Sequence, residues 1–231
     1  WHGRGPRGAG GDFRAGTGSM ISFGCERLAF GYENLPSILD GVSLTAQAGE
    51  LVAITGASGR GKSTLLYLLG LMLSPRAGAV LLDGKAVSGL RDAQRSALRA
   101  QLLGFVFQDA ALDQTRTVMD NITEVCLYGD LDRNKAQQRA QRLIDQLGVQ
   151  VPAHRRPGQI SGGQAQRIAL CRALVHDPAV LLADEPTGNL DDSSAEGVID
   201  AMRRHAETGR AVIVVTHDPR LEQACDRSVP L

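Results

Sequence analysis

The sequence has little of what several classes of protein depend on. Its 4 cysteines are scattered, without a C-x-x-C pair or a nearby histidine at ligand spacing, and they fit a reduced cytoplasmic protein better than a disulfide framework or a metal site. Its 25 basic and 25 acidic residues leave no net charge, whereas a protein that binds nucleic acid through counterion release usually carries a basic excess. No apolar run approaches the roughly 20 residues that a membrane-spanning helix requires. We therefore expect no nucleic-acid partner and no membrane-spanning segment.

What is present is typical of a globular domain. The chain has 231 residues, of which 43% are hydrophobic and 22% are charged, and this composition suits one domain with a substantial core. Residues 1–19 differ, because they are rich in glycine and have no apolar period. They are predicted to be a flexible tail or an expression-tag remnant, with Met20 as the natural start. Residues 20–231 are predicted to form the folded domain.

Short apolar, β-branched runs alternate with helical periods along this domain. Strands are predicted at 51–55, 80–83, 104–107, 180–183 and 211–216, and helices at 62–73, 91–103, 133–147, 163–176 and 194–208. Such alternation is typical of an α/β domain with a largely parallel sheet covered by helices on both faces. Residues 115–156 contain no predicted strand, which indicates a helical insertion.

A phosphate-binding loop is the first motif that carries chemistry. Residues 56–63 read G-A-S-G-R-G-K-S, which matches the pattern G-x-x-x-x-G-K-[ST], between a predicted buried strand and a predicted helix. The glycines allow backbone N–H groups to surround phosphates, and the helix N-terminus adds the positive end of its dipole. Lys62 would reach the β- and γ-phosphates, and the Ser63 hydroxyl would complete a magnesium shell. The predicted nucleotide-binding residues are Gly56, Ala57, Ser58, Gly59, Arg60, Gly61, Lys62, Ser63 and Thr64.

Two carboxylates follow the predicted strand at 180–183. Ligands of α/β sheets bind at the carboxyl ends of the strands, where Asp184 and Glu185 lie. Asp184 can hold magnesium, directly or through water, and Glu185 can polarise an attacking water. Taken without the phosphate loop, the pair would equally fit an acidic cap for a following helix.

Two further segments make a family resemblance specific. Residues 160–167 read I-S-G-G-Q-A-Q-R at the start of a predicted helix, and residues 184–191 read D-E-P-T-G-N-L-D. In this order, after the phosphate loop, the chain resembles the ATP-binding cassette (ABC) ATPases over nearly all of 21–229. The resemblance implies a P-loop ATPase core with a mainly parallel sheet, an N-terminal antiparallel β portion and an inserted helical subdomain at about 115–176. It also implies hydrolysis of ATP to ADP and phosphate with Mg²⁺.

The resemblance assigns roles to single residues. Tyr32 would stack on adenine, although a structural tyrosine at a strand edge is the alternative. Gln108 would touch magnesium and water and sense a membrane partner, and His217 would lie near the γ-phosphate. Residues 188–191, including Asn189 and Asp191, would cross the seam of a dimer. In that dimer, two copies pair head to tail, and each ATP also contacts Ser161, Gly162, Gly163 and Gln164 of the other copy.

The spelling G-N-L-D is similar to that of the group containing the macrolide exporters and the lipoprotein-release ATPases. This implies a permease partner, export or mechanotransmission, and a peripheral location on the inner face of the cell membrane. The alternative is a lone ABC ATPase that regulates a non-transport membrane or cell-wall partner. Three further histidines, His154, His176 and His205, are predicted to be surface residues.

Overall fold

The computed structural model describes residues 22–33, 36–128, 131–188 and 190–231. The predicted tail at 1–19, the predicted start Met20 and Asn189 lie outside the described residues. The strands in chain order are β1 (Ser22–Phe30), β2 (Leu39–Gln47), β3 (Leu51–Thr55), β4 (Ala77–Leu82), β5 (Lys85–Ala86), β6 (Leu103–Val106), β7 (Val180–Asp184), β8 (Ala211–Val215) and β9 (Arg227–Pro230).

The five predicted helices are present and differ at some ends, and two shorter helices among the described residues have no predicted counterpart. They are α1 (Lys62–Leu69), α2 (Asp92–Leu102), α3 (Val118–Thr123), α4 (Arg133–Gln146), α5 (Gly162–Leu174), α6 (Asp192–Glu207) and α7 (Pro219–Ala224), with 3-10 turns at Glu124–Tyr128 and Pro157–Gln159. Helix α1 ends before the predicted position 73, because Gly70 follows it and Leu71 has a left-handed φ of 57°. No helix in the described ranges is both long enough and apolar enough to cross a membrane.

A five-stranded parallel sheet forms the centre, in the order β6-β7-β8-β3-β9. Strands β7 and β8 are buried at every position, which explains their uninterrupted apolar sequences. Because the pairing is parallel, the carboxyl ends of β3, β6, β7 and β8 lie at one edge of the sheet. The predicted α/β architecture is thus present.

Two hydrophobic cores lie on opposite faces of this sheet. In β3, Leu51 and Ala53 belong to the core that α3 to α6 cover, whereas Val52 and Ile54 belong to the core beneath α1, α2 and the antiparallel strands. This alternation follows from the period of two residues in a strand. The sheet therefore separates the helical side of the molecule from the antiparallel side.

The antiparallel strands form a second sheet in the order β2-β1-β4-β5. The strand predicted at 80–83 is part of β4, and it pairs antiparallel with β1 rather than extending the parallel sheet. Its pattern explains the difference, since Val80 and Leu82 are buried while Ala79 and Leu81 are only partly buried. Strands covered on one face alternate in this way, whereas β3, β7 and β8 of the parallel sheet are buried on both faces.

The region predicted as a helical insertion contains α3, α4 and a 3-10 turn, and none of its described residues between 115 and 156 lies in a strand. Helix α3 begins after Thr117, whose hydroxyl accepts a hydrogen bond from the backbone of Asp120. The bounds 115–176 of a separate subdomain remain a prediction.

The expectation that all three remaining histidines lie at the surface is wrong for two of them. His205, on the inner face of α6, is 8% exposed, and its Nε2 lies 3.0 Å from the carbonyl oxygen of Pro178. Burial lowers the pKa of His205 to about 4, because the charged ring would lose its hydration. His176 is half-buried, and its pKa is lowered for the same reason.

The buried ring of His205 predicts a specific acid sensitivity. In the unfolded chain the ring takes up a proton near pH 6.5, whereas the folded protein resists protonation down to about pH 4, so stability falls as the pH drops through this window. Between pH 7 and pH 4.5 we expect the native protein to lose about 2 kcal/mol more unfolding free energy than His205→Gln. Urea unfolding at several pH values measures this, and parallel stability curves for the two proteins would contradict the prediction.

Candidate active site

One cavity of about 410 Å³ opens at the shared carboxyl edge of the parallel sheet. The loops that follow β3, β6, β7 and β8 each contribute side chains to its wall. The lining residues are Ile38, Ser58, Gly59, Gly61, Lys62, Ser63, Thr64, Gln108, Asp184, Glu185, Val215 and His217. The cavity therefore brings together most of the phosphate loop with the predicted magnesium ligands and the predicted catalytic residues, although these come from four separate segments of the chain.

In the phosphate loop, residues 56–63, the lysine side chain donates hydrogen bonds to backbone carbonyl oxygens of the loop itself. Gly61 caps α1 with a left-handed φ of 86°, and a Cβ there would come within 2.5 Å of Ile38, so only glycine fits. Lys62 is 7% exposed, and its Nζ donates to the carbonyl oxygens of Gly56 at 2.9 Å and Ala57 at 3.0 Å. The ammonium group is thus held at the base of the loop, beside the cavity.

Asp184 is the most deeply buried carboxylate of the cavity, at 1% exposure, and neither of its oxygens makes a hydrogen bond among the described residues. Burial raises the pKa of its carboxyl, an effect that the nearby Ser63 hydroxyl and Lys62 ammonium oppose. An unpaired carboxylate beside a hydroxyl suits the oxygen preference of Mg²⁺. Within the described ranges no cluster of three His, Cys, Asp or Glu side chains could hold a metal by itself, so the ion would take further ligands from nucleotide and water.

Glu185 directly follows β7 with a left-handed φ of 46°, which is rare for a side chain of this size. Its Oε2 accepts a hydrogen bond from the backbone N–H of His217 at 3.2 Å, and its Oε1 lies 3.7 Å from Nε2 of that histidine. Burial raises the pKa of the Glu185 carboxyl and the Asp184 charge adds to the rise, while the His217 hydrogen bond and ring and the Lys62 charge oppose it. A carboxylate with a raised pKa is a better general base.

Several predicted residues lie outside the cavity wall. Tyr32 is 47% exposed, and its ring packs edge-to-face against Phe30 at 5.2 Å. Asp191 caps α6, where its carboxylate accepts hydrogen bonds from the Ser193 hydroxyl and from the backbone and hydroxyl of Ser194. Those bonds hold the pKa of Asp191 well below its usual range. The other predicted residues outside the wall are Gly56, Ala57 and Arg60 of the phosphate loop and Ser161, Gly162, Gly163 and Gln164.

The signature segment, residues 161–164, forms the start of α5. The Ser161 hydroxyl accepts a hydrogen bond from the backbone N–H of Gln164 at 3.2 Å, and the Gln164 side chain accepts one from the N–H of Ser161 at 2.9 Å. This reciprocal cap gives the helix a well-defined first turn. Ser161 and Gly162 are exposed, and none of residues 161–164 lines the cavity of its own chain.

Sequence reasoning missed two residues of the cavity wall, Ile38 and Val215. Ile38 reaches the site from the antiparallel side, next to Gly61, and no motif marks it. Val215 ends β8 and could have been found from its place two residues before His217.

Comparison with known proteins decides the family. A model of the ABC transporter family matches residues 39–188, which include the phosphate loop, Gln108, the signature segment and the Asp184–Glu185 pair. The chain belongs to the ABC transporter family. The predicted enzyme class, an ATPase that converts ATP and water to ADP and phosphate, is confirmed with it.

Relatives of this ABC ATPase confirm the predicted group. The lipoprotein-releasing system ATP-binding protein LolD of Bordetella avium is 42% identical over 92% of this chain and 94% of its own length. LolD of Myxococcus xanthus is 45% identical over 84% of this chain and 87% of its own. The macrolide export ATP-binding/permease protein MacB 1/2 of Paracoccus denitrificans is 40% identical over 86% of this chain, which corresponds to 30% of that longer protein.

Solved cassettes confirm the fold. The dimeric post-hydrolysis structure of the ATP-binding cassette MJ0796, bound to ADP and Pi, superposes with a TM-score of 0.84 at 31% identity and covers 90% of this chain. A dimeric structure of MJ0796 described as a bacterial ABC transporter cassette matches equally well. The predicted P-loop ABC ATPase fold, with a parallel sheet, helices and a separate antiparallel sheet, is thus confirmed.

The unpaired carboxylate of Asp184 predicts a conflict between stability and function. Because its pKa is raised on folding, stability falls as the pH rises above 3.8, and the charged form is unfavourable at neutral pH. We expect Asp184→Asn to raise the free energy of unfolding by about 1 kcal/mol at pH 7.5, without nucleotide or metal. Thermal unfolding in EDTA measures the change.

Asp177→Asn is the matched control. Burial would raise the pKa of Asp177, but the hydrogen bonds and charges of Arg210 and Arg139 outweigh it, and the pKa is lowered overall. Asp177→Asn should therefore destabilise the protein. A loss of stability in both variants would show that the Asp184 charge is not the unfavourable one.

Proposed function

We propose that this chain is the ATP-binding and ATP-hydrolysing subunit of an ABC transporter. Two copies close head to tail on ATP and thereby drive a membrane permease, in export or in mechanotransmission. The subunit works on the cytoplasmic side, as a peripheral protein at the inner face of the cell membrane. The alternative, a lone ABC ATPase that regulates a non-transport partner, has less support, because LolD of Bordetella avium matches along 94% of its length.

The observation that supports a dimer is that the signature segment does not line the cavity of its own chain. Ser161 and Gly162 are exposed at the N-terminus of α5, where free backbone N–H groups and the helix dipole favour an anion. The cavity of the same chain does not include them. In a two-fold arrangement, the nucleotide bound to a second copy would supply a phosphate to this anion site. Each dimer interface would then bury two nucleotides.

ATP is held, in this proposal, by residues from one chain and closed in by the other. The phosphate loop and Lys62 receive the β- and γ-phosphates, and Tyr32 contacts the adenine at the outer end. Ser63, Asp184 and Gln108 would hold Mg²⁺, which would supply positive charge to offset that of the phosphates. The signature segment of the partner, residues 161–164, and the loop that ends at its Asp191 close the site.

Hydrolysis needs a water held in line with the γ-phosphate. Glu185 is the proposed base, since its raised pKa and its place beside His217 suit it to accept a proton from that water. His217 keeps Glu185 in position through its backbone N–H and contributes its ring near the γ-phosphate. Gln108, which lines the same cavity, orients the water. The products are ADP and phosphate, whose departure lets the dimer open.

Replacement of Lys62 tests nucleotide binding. Lys62→Ala removes the ammonium that meets the phosphates, and charge-assisted hydrogen bonds of this kind contribute about 1.5–3 kcal/mol. We expect the Kd for ATP to rise by about tenfold or more, as measured by equilibrium titration. Lys135→Ala is the control, because Lys135 is an exposed lysine on α4. Equal affinities for the two variants would exclude the assigned role of Lys62.

Replacement of Glu185 tests the base. Glu185→Gln keeps the shape of the side chain but cannot accept the proton, so we expect the phosphate release rate to fall by about 10²–10⁴-fold while ATP binding persists. The variant should elute as a dimer in size-exclusion chromatography with ATP and Mg²⁺. Glu207→Gln, at an exposed position of α6, is the matched control. Hydrolysis by Glu185→Gln at the native rate would show that another group is the base.

The same variant identifies the membrane partner. With ATP and Mg²⁺, tagged Glu185→Gln is captured from detergent-solubilised membranes of the source cells, and its partners are identified by mass spectrometry. A permease with four spans and a large outer domain supports export or mechanotransmission. A six-span permease would indicate another transporter type, and a dimer without any membrane partner would favour the regulatory alternative.

A further inference from the structure

Helix α5 holds the turn that carries Gln108 from one side through Arg172. The guanidinium donates from Nη2 to the carbonyl oxygen of Ala110 and from Nη1 to that of Ala111, and both distances are 2.7 Å. Each donor of the fork thus meets a different carbonyl of consecutive residues. Arg172 makes no ion pair among the described residues. The two carbonyl oxygens are the hydrogen-bond partners of its guanidinium.

The same helix holds the other side of the turn through Gln166. This residue is 3% exposed, and its Nε2 donates to the carbonyl oxygen of Phe107 at 3.2 Å. That oxygen also accepts the backbone N–H of Ala110 at 3.0 Å, which closes a tight turn around Gln108. The Gln108 turn, residues 107–111, is therefore attached to α5 at both of its ends.

The backbone of this turn explains why it needs to be held. Ala110 and Ala111 both have left-handed φ angles, 61° and 45°, a conformation that alanine rarely adopts and that no glycine relieves here. Such strain persists only where surrounding contacts determine the conformation. The contacts from Arg172 fall on the carbonyls of these two residues, at the point where the strain lies.

The surroundings of Arg172 also favour a fixed position. Burial lowers the pKa of its guanidinium, while the carboxylates of Glu124 and Asp109 oppose that effect. The carboxylates thus offset part of the cost of burying the charge, and the two carbonyl oxygens supply the directional contacts. Because a planar guanidinium presents its donors in a rigid fork, a lysine ammonium cannot reproduce both contacts with the same geometry.

We propose that Arg172 and Gln166 are positioning residues for ATP hydrolysis, which act by holding the Gln108 turn in its strained form so that the Gln108 side chain faces the cavity. This inference rests on the proposed role of Gln108. Because α5 begins with the signature segment, the helix that would meet the partner's ATP at its N-terminus also fixes Gln108 at its own cavity. A shift of α5 would therefore move the Gln108 turn directly.

A double-mutant cycle tests the proposal. The native protein, Gln108→Ala, Arg172→Met and the double variant are compared in kcat, in KM for ATP and in the Mg²⁺ concentration needed for half-maximal rate. We expect Arg172→Met to lower kcat about tenfold and to raise the Mg²⁺ requirement, with ATP affinity changed less than twofold. In the double variant, kcat should equal that of Gln108→Ala alone, because a residue that acts through Gln108 has no effect once Gln108 is absent. Arg172→Lys should restore part of the rate.

Arg167→Met is the matched control for loss of structure. Arg167 lies on α5 as well and donates to two carbonyl oxygens, those of Leu147 and Gly148, but these lie after α4 and away from the cavity. It should leave kcat and the Mg²⁺ requirement near native values. If Arg172→Met does not fold, Arg172→Lys replaces it in the cycle.

The outcomes separate the inference from the proposed function. Independent, multiplicative effects of the Gln108 and Arg172 substitutions, or equal effects of the Arg172 and Arg167 substitutions, would overturn the positioning role alone. Native kinetics for Gln108→Ala would overturn the role of Gln108 and the inference with it. A native protein without ATP hydrolysis would instead overturn the proposed function.

Discussion

Parallel pairing brings the carboxyl ends of β3, β6, β7 and β8 to one edge of the central sheet. The candidate active site depends on this common strand direction. The phosphate loop, Gln108, the Asp184–Glu185 pair and His217 follow these four strands and are far apart in the sequence. A strand that ran in the opposite direction would place its loop at the far edge. The buried, apolar strands that determine the fold are therefore also what assembles the chemistry.

The site departs from what stability alone would favour. Asp184 is buried without a hydrogen-bond partner among the described residues, and Glu185, Ala110 and Ala111 have backbone angles that their side chains disfavour. These departures lie within a few residues of the ends of β6 and β7, and every residue of β7 is buried. Concentration of unfavourable features where ligands bind is expected of functional sites, since a group that is satisfied within the protein has less to offer a ligand.

Much of this arrangement could be predicted from the sequence, because it is local. The phosphate loop and the carboxylates after β7 are short segments next to apolar runs, and the order of the segments indicated the family. Contacts between distant segments could not be predicted. Ile38 reaches the cavity through the packing of the antiparallel sheet, and Gln166 and Arg172 contact carbonyl oxygens about sixty positions away in the chain, which no periodicity encodes. The strand at 80–83 is predicted from its sequence, but its antiparallel pairing with β1 is again a contact between distant segments.

The contacts of Lys62 change how nucleotide affinity should be understood. Its ammonium group already donates to the carbonyl oxygens of Gly56 and Ala57, so most of its hydration has been removed during folding. Arrival of a phosphate is then an exchange of one set of acceptors for another rather than the capture of a hydrated ion. The affinity therefore reflects the difference in strength between these two sets of hydrogen bonds.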